Sequence, residues 1–210
     1  MPRLYIGQSL IDGFSILTMG PAILIPVGIN TACFMLQMQN PSTGAFLGTM
    51  LLNFFLYFLT TQYAYDVLLG NPSWKAAFHF MRPRWVTLFC AVFVWMVAVV
   101  LGIFALIIPG ILLLVRLGFC DYAVIFHGKS LMESFKESWR LTEGSFWRVL
   151  MILCILYLPD LAAEFLPKTN SFLVVKFLLL FLSQAMTLTT MLAVYIKLRD
   201  IKEYEAGVRS

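Results

Sequence analysis

The sequence predicts an all-α, polytopic membrane protein with six transmembrane helices, arranged as three hairpins that each follow a cytoplasmic interfacial helix. Of its 210 residues, 60% are hydrophobic and only 12% are charged, whereas soluble domains average about 45–50% and 25%. Apolar runs also recur at about the length needed to cross a bilayer, which is about 20 residues. This composition argues against a soluble enzyme, a nucleic-acid-binding protein and a disordered chain.

Six apolar segments are the predicted spans, five of them clear and one weaker. They cover residues 16–38, 46–69, 85–107, 110–126, 146–163 and 172–196. Polar residues, Pro and Gly separate the members of each pair, and such breaks end helices and close short helical hairpins. The first six residues are not followed by the apolar region of a removable signal peptide, so the first span is expected to act as an uncleaved anchor.

The basic residues predict the orientation. Twelve of the 15 Lys and Arg residues lie on the N-terminal side of the predicted membrane. Because loops rich in Lys and Arg stay in the cytoplasm, both termini are expected there and the number of spans is expected to be even. The chain is expected to be one transmembrane domain over 1–210, with repeat-like units at 1–69, 70–127 and 128–200 and a short cytoplasmic tail at 201–210.

A short motif precedes each predicted hairpin. Residues 7–14 (GQSLIDGF) and 128–135 (GKSLMESF) are identical at four of eight positions, and residues 70–78 match with one inserted residue. The equivalent serines are Ser9, Ser73 and Ser130. Because all three copies hold the same topological place, they predict an internal repeat.

The third copy predicts an amphipathic helix that lies along the headgroup boundary. Ser130 and Glu133 fit a capping box, as Ser9 and Asp12 do in the first copy. The predicted apolar face comprises Leu131, Phe135, Trp139 and Thr142, and the opposite face Glu133, Lys136, Glu137 and Arg140. The candidate residues for contact with lipid or a partner protein are Leu131, Phe135, Trp139 and Arg140. The alternative is that these helices only anchor the turns between hairpins.

Charged side chains within apolar segments are the candidate lipid- or ligand-binding residues, because charge inside a membrane is costly. They are Arg116, Asp121, Asp160, Glu164 and Lys176. Depth along the spans predicts an outer-half cluster in which Asp160 and Glu164 neutralise Arg116 and Lys176. Alternatively, the two cations extend to outer-leaflet phosphates.

Polar stripes mark two predicted spans. The sixth carries Lys176, Ser183, Thr187 and Thr190, and the second carries Asn53, Tyr57 and Thr60. Such stripes favour hydrogen bonds between helices, and a hydrophilic path or ligand cavity is the alternative.

No motif for catalysis, nucleotide binding or metal binding is present. His79 and His127 lack a second ligand at metal spacing, and the four cysteines are expected to be buried free thiols. We therefore expect no cofactor, no metal and no nucleic-acid partner.

One stretch carries a family resemblance. Residues 108–119 and 128–147 resemble the YciC-like, uncharacterised six-span bacterial inner-membrane family, and are similar to the membrane domain fused to some glycerophosphodiester phosphodiesterases. The matching residues are Pro109, Gly110, Arg116, Ser130, Ser138, Leu141, Thr142 and Gly144. The resemblance implies a multi-pass helical protein of the bacterial inner membrane and brings no assigned catalytic residues. The phosphodiesterase domain is absent from this sequence, so its activity does not carry over.

The expected function is that of a non-enzymatic, lipid-interacting or scaffold component of the bacterial envelope. Its expected partners are membrane lipids and another membrane or cytoplasmic protein, and the oligomeric state stays open. The alternative is a small transporter or channel-like protein with a polar path near Arg116 and Lys176.

Overall fold

All regular elements in the described part of the chain are helical, which confirms the all-α prediction. The computed structural model describes residues 4–39, 43–167 and 172–209. Its helices are α1 (Ile6–Met19), α2 (Leu24–Gln39), α3 (Thr43–Leu68), α4 (Trp74–Met81), α5 (Trp85–Ala105), α6 (Ile107–Leu117), α7 (Cys120–His127), α8 (Leu131–Thr142), α9 (Phe146–Phe165) and α10 (Leu173–Arg209). Short 3₁₀ turns cover Pro21–Ile23 and Arg82–Arg84.

Four helical stretches in the described ranges are long and apolar enough to cross a membrane. They are Trp74–Ala105, Ile107–His127, Phe146–Phe165 and Leu173–Gly207, and a bent pair formed by α1 and α2 would make a fifth. Six spans and the three-hairpin arrangement are therefore not confirmed and stay predictions.

The predicted first span is wrong at its start. Residues 16–38 do not form one rod, because α1 ends at Met19 and α2 follows after a bend of 90°. Pro21 lacks a backbone N–H and fixes its own φ, so it begins a new turn rather than continuing α1. At about 1.5 Å per residue, α2 is about 24 Å long, shorter than a hydrocarbon core of about 30 Å.

Two other predicted spans differ from the expected rods. The predicted interfacial segment 70–78 leads into α4, which continues through Arg82–Arg84 into α5 as one stretch of 32 residues. The predicted fourth span is broken between α6 and α7 at Gly118 and Phe119.

The chain divides into two compact units. The first unit comprises Met1–Ile6, Phe78–Ile152 and Leu192–Ser210, and the second comprises Gly7–Ala77 and Leu153–Met191.

In the first unit, α5 and α6 are joined at Leu106, whose backbone is extended, and they approach closely at two glycines. A Cβ on Gly102 would lie 2.9 Å from the Cα of Gly110. The core of this unit includes all of α7 up to Phe126, which is buried on every side, the acidic Asp121 included.

In the second unit, Met35, Ala163 and Leu180 form a buried apolar cluster. α1 approaches α10 at Gly13, where a Cβ would lie 2.7 Å from the Cα of Thr190. A larger residue at this position of α1 would collide with backbone.

The cysteines correct a sequence expectation. Cys120 is buried, but Cys33 is half-buried and Cys90 and Cys154 are exposed. The exposed pair lies on α5 and α9, whose outer faces are apolar, so a small apolar side chain suits an exposed position there.

Candidate functional site

A polar cavity of about 250 Å³ lies in the second unit, among α2, α3, α9 and α10. Its polar lining consists of Asn30, Tyr57, Thr60, Asp160, Gln184 and Thr187. Tyr157 adds a second tyrosine, and the apolar lining consists of Pro26, Val27, Leu56 and Leu188. A set of polar groups that converge within an apolar bundle is the usual form of a small-ligand site.

Several donors at this cavity are already committed to the protein. The amide nitrogen of Asn30 donates to Gln184 Oε1 over 3.4 Å. Thr31 lies beside the cavity, and its hydroxyl approaches both the Val27 carbonyl (2.9 Å) and Gln184 Oε1 (3.0 Å). The hydroxyl of Thr60 donates to the Leu56 carbonyl one turn earlier.

Three oxygens of the lining are buried without a hydrogen bond from any residue that the structure describes. They are Asn30 Oδ1, Asp160 Oδ1 and Thr187 Oγ1. An unsatisfied buried polar group costs about 1–3 kcal/mol, so three at one cavity call for partners held inside it, such as ordered water or a bound ligand.

The polar stripes predicted from sequence lie partly at this cavity and partly between helices. Tyr57, Thr60 and Thr187 line the cavity, whereas the Ser183 hydroxyl donates to the Leu156 carbonyl over 3.0 Å and so joins α10 to α9. Sequence reasoning missed Asn30 and Gln184, although an uncharged amide within an apolar run is a usable signal.

The charged candidates fall in different places. In the second unit, Lys176 is buried and its Nζ lies 3.9 Å from a carboxylate oxygen of the exposed Glu164, which matches the predicted neutralisation of Lys176. Asp160 lines the polar cavity, and its carboxylate neighbours the Ser183 hydroxyl.

Arg116, in the first unit, makes different contacts from those predicted. Its guanidinium lies 5.1 Å from the centre of the Trp139 ring and 3.5 Å from the Trp139 carbonyl, so it faces α8, where a cation–π contact stabilises it. Asp121 is buried in the first turn of α7, and its side chain accepts the Tyr122 backbone N–H over 2.9 Å.

Ser138 on α8 hydrogen-bonds the backbone groups at the break between α6 and α7. Its hydroxyl donates to the Arg116 carbonyl over 2.7 Å and accepts the backbone N–H of Phe119 over 3.0 Å. Both backbone groups sit where the helix is interrupted, and one buried side chain satisfies them.

The predicted apolar face of α8 is not its buried face. Ser134, Ser138, Leu141 and Thr142 are buried, whereas Trp139 is 44% exposed and Leu131 and Phe135 are half-buried. The small hydroxyl side chains of this face let α8 pack closely against the rest of the first unit, and the larger apolar side chains of α8 lie away from that contact.

The same inversion recurs in the other copies of the repeat. Gly13 in α1 and Ala77 in α4 occupy the position of Ser134, and both are buried. The following phenylalanines, Phe14 and Phe78, are exposed. Each copy therefore buries a small residue, and the phenylalanine that follows it is exposed in the first two copies and half-buried in the third.

The start of α8 is capped as predicted. The Ser130 backbone N–H and hydroxyl both donate to the Glu133 carboxylate, over 3.1 and 2.8 Å. These bonds hold the pKa of Glu133 below its ordinary value. In the first copy the prediction is wrong, because α1 begins at Ile6 and Ser9 is buried inside it.

The exposed side of α8 carries an ion-pair network. The Glu137 carboxylate pairs with Lys129 Nζ at 3.1 Å and with Arg140 Nη2 at 2.8 Å. Partial burial opposes ionisation of Glu137, but the hydrogen bonds from Arg140 and Lys129 outweigh it and lower the pKa of this carboxyl.

A second cavity, of about 380 Å³, lies in the first unit beyond the end of α8. Its charged lining residues are Glu143, Arg148, Lys202 and Glu205, and Lys202 pairs with Glu205 over 3.0 Å. The remaining two charged residues, Arg148 and Glu143, have opposite signs, and they line the cavity together with Gly144 and Ser145.

The fold and these sites define an all-helical protein with helices apolar enough to cross a membrane and with polar cavities of its own. Residues 78–198 match the family model described as a domain of unknown function, DUF7847. The match covers more than half of the chain, so the chain belongs to this family. No curated protein and no solved structure matches the chain. The comparisons do not confirm the resemblance to YciC-like proteins or to the phosphodiesterase membrane domain.

Proposed function

We propose that this chain is a non-enzymatic, multi-pass protein of the bacterial inner membrane that interacts with lipids as a scaffold or accessory component of the envelope. The observation that carries the proposal is the exposure of large apolar side chains on the long helices. Examples are Leu101, Phe104 and Ile108 near the α5–α6 turn and Leu158 and Phe165 on α9. Lipid would cover these side chains. Leaving a large apolar side chain exposed to water instead of burying it costs about 1.5–3 kcal/mol.

The proposed orientation places both termini in the cytoplasm and counts α2 and α3 among six crossings. The basic bias of the loops supports it. The resemblance to YciC-like proteins is consistent with this layout and belongs to the same proposal.

The proposed contact with lipid headgroups lies around α8 and the cavity beyond it. The exposed Trp139 ring suits the boundary between hydrocarbon and headgroups. Arg148 and Glu143 in the cavity carry opposite charges, which fits the phosphate and the ammonium of a zwitterionic phospholipid. In this position α8, with Phe135 half-buried beside Trp139, would also face a partner protein at the membrane surface.

The alternative function, a small transporter with a path near Arg116 and Lys176, has weaker support. These residues contact Trp139 and Glu164, respectively. Neither residue lines the polar cavity of the second unit.

Native mass spectrometry of the chain extracted from bacterial membranes tests the lipid proposal, because it reports bound lipids and bound proteins together. We expect retained phospholipid of zwitterionic class in the wild-type chain and a several-fold loss of that lipid in Arg148→Gln. Arg82→Gln is the matched control, because Arg82 is exposed and lies outside the cavity. Absence of retained lipid in the wild type, or equal loss in both variants, would contradict the proposal.

A further inference from the structure

We propose that the polar cavity among α2, α3, α9 and α10 binds a monovalent cation through oxygen ligands, with Asp160 as the charged ligand. The cavity is distinct from the headgroup contact proposed above, and its residues belong to the second unit alone.

The hydrogen-bond inventory of the cavity favours a cation. Asn30 Oδ1, Asp160 Oδ1 and Thr187 Oγ1 are buried and unsatisfied within the protein. Two of the neighbouring donors are directed elsewhere, because Asn30 donates to Gln184 and Thr60 donates to Leu56, and an ionised Asp160 carboxylate offers only acceptor oxygens. A species that fits this lining must therefore supply positive charge or N–H and O–H donors.

The charge balance points the same way. None of the side chains that line the cavity is basic. Glu164, one turn further along α9, lies 3.9 Å from the buried ammonium of Lys176, so that ammonium is already engaged with another carboxylate. An ionised carboxylate inside an apolar bundle is stable only with a counter-charge close by, and a bound cation would provide one at Asp160.

The ligand set also limits the kind of cation. Carboxylate, amide and hydroxyl oxygens are hard ligands, and a single carboxylate balances one positive charge. The volume of about 250 Å³ exceeds that of one water molecule, about 30 Å³, so the cavity accommodates Na⁺ with bound water or a primary ammonium group. These two sources share one chemistry, and the experiment separates them.

Thermal unfolding of the full chain in detergent micelles tests the site. NaCl and methylammonium chloride are titrated separately, with tetramethylammonium chloride replacing them at constant total salt, because this bulky cation has neither an N–H nor an O–H donor. We expect a saturable rise of the midpoint by about 4 °C or more with one of the two cations. Asp160→Asn should abolish the rise, and Glu164→Gln should retain it, because Glu164 is an exposed carboxylate on the same helix.

A second variant keeps the test decisive if Asp160→Asn does not fold. Thr187→Val keeps the charge and removes one oxygen ligand, so it should raise the half-saturating cation concentration about tenfold, the effect of about 1.4 kcal/mol. An unchanged midpoint in the wild type with both cations would overturn the proposal. The proposal would also be overturned if Asp160→Asn gave the same titration curve as the wild type. If Asp160→Asn fails to fold, the same result in Thr187→Val would overturn it.

Discussion

The Ser138 hydroxyl on α8 accepts the backbone N–H of Phe119 over 3.0 Å, at the point where the helical path from α6 to α7 is interrupted. The same hydroxyl donates to the carbonyl of Arg116 over 2.7 Å. A break within an apolar stretch leaves buried backbone groups that need hydrogen-bond partners, so α8 is part of what makes the broken stretch stable.

Ser138→Ala should therefore destabilise the protein more than its small change in volume suggests. It leaves a buried N–H without its acceptor, at a cost of about 1–3 kcal/mol. For a chain of this length the midpoint of thermal unfolding should fall by about 2–10 °C.

Ser134→Ala is the matched control for that substitution. Ser134 is equally buried, but its hydroxyl donates to the Leu131 carbonyl within α8 itself. Its replacement should change the midpoint much less, and equal effects of the two substitutions would refute the bridging role of Ser138.

The close approach of α5 and α6 should not tolerate a side chain at Gly110. A Cβ there would lie 2.6 Å from the backbone N of Ile103, and backbone cannot move aside as a flexible side chain can. Gly110→Ala should destabilise the protein by about 1–3 kcal/mol through overpacking, measured as loss of folded protein on heating in micelles.

Gly7→Ala controls for the helical preference of alanine. No atom of the described residues lies within 4 Å of a Cβ at Gly7 in α1, so alanine should be neutral or stabilising there by up to about 1 kcal/mol. If Gly110→Ala left stability as unchanged as Gly7→Ala does, that result would contradict the close packing of α5 against α6 at Gly110.

The start of α8 should lose stability in acid. Hydrogen bonds from the Ser130 hydroxyl and backbone N–H keep the pKa of Glu133 below the ordinary value of 4.5. Folding therefore favours the carboxylate, and this contribution is complete above about pH 4.5 and declines as the pH falls through the folded-state pKa. Glu137, whose pKa is also lowered, adds a loss in the same direction.

Hydrogen exchange of the α8 amides, corrected for intrinsic rates, measures this dependence between about pH 6 and about pH 3. Protection should fall toward the acid end in the wild type and vary less with pH in Glu133→Gln. Glu143→Gln should behave as the wild type, because Glu143 follows the C-terminus of α8. Protection in the wild type that stays constant down to about pH 3 would show that the cap contributes nothing.

The sequence predicts the helical class and the position of most long helices, because apolar run length is a local property. It also predicts the cap at Ser130, since a capping box involves residues only three apart. The 90° bend at Pro21 has a visible local cause, but whether a proline kinks or ends a helix depends on packing that the sequence does not display.

The candidate sites depend on contacts between distant parts of the chain, which explains why they were predicted less well. Lys176 and Glu164 lie close together along the chain and their pairing was predicted. Depth along the spans predicts that acids near the outer end of the spans neutralise Arg116, whereas Arg116 contacts Trp139, 23 residues away. The residues Asn30 and Asp160 meet at one cavity although 130 positions separate them, and no periodicity within one helix encodes that meeting.

Membrane insertion with both termini in the cytoplasm is the claim on which the proposed roles of α8 and of the headgroup cavity depend. Fusion of green fluorescent protein or of alkaline phosphatase to the C-terminus, expressed in a bacterium, measures it directly. We predict a fluorescent first fusion and an inactive second one, because the phosphatase folds only outside the cytoplasm and the fluorescent protein folds inside it. An active phosphatase with a dark fluorescent fusion would place the C-terminus outside the cytoplasm and contradict the proposed orientation.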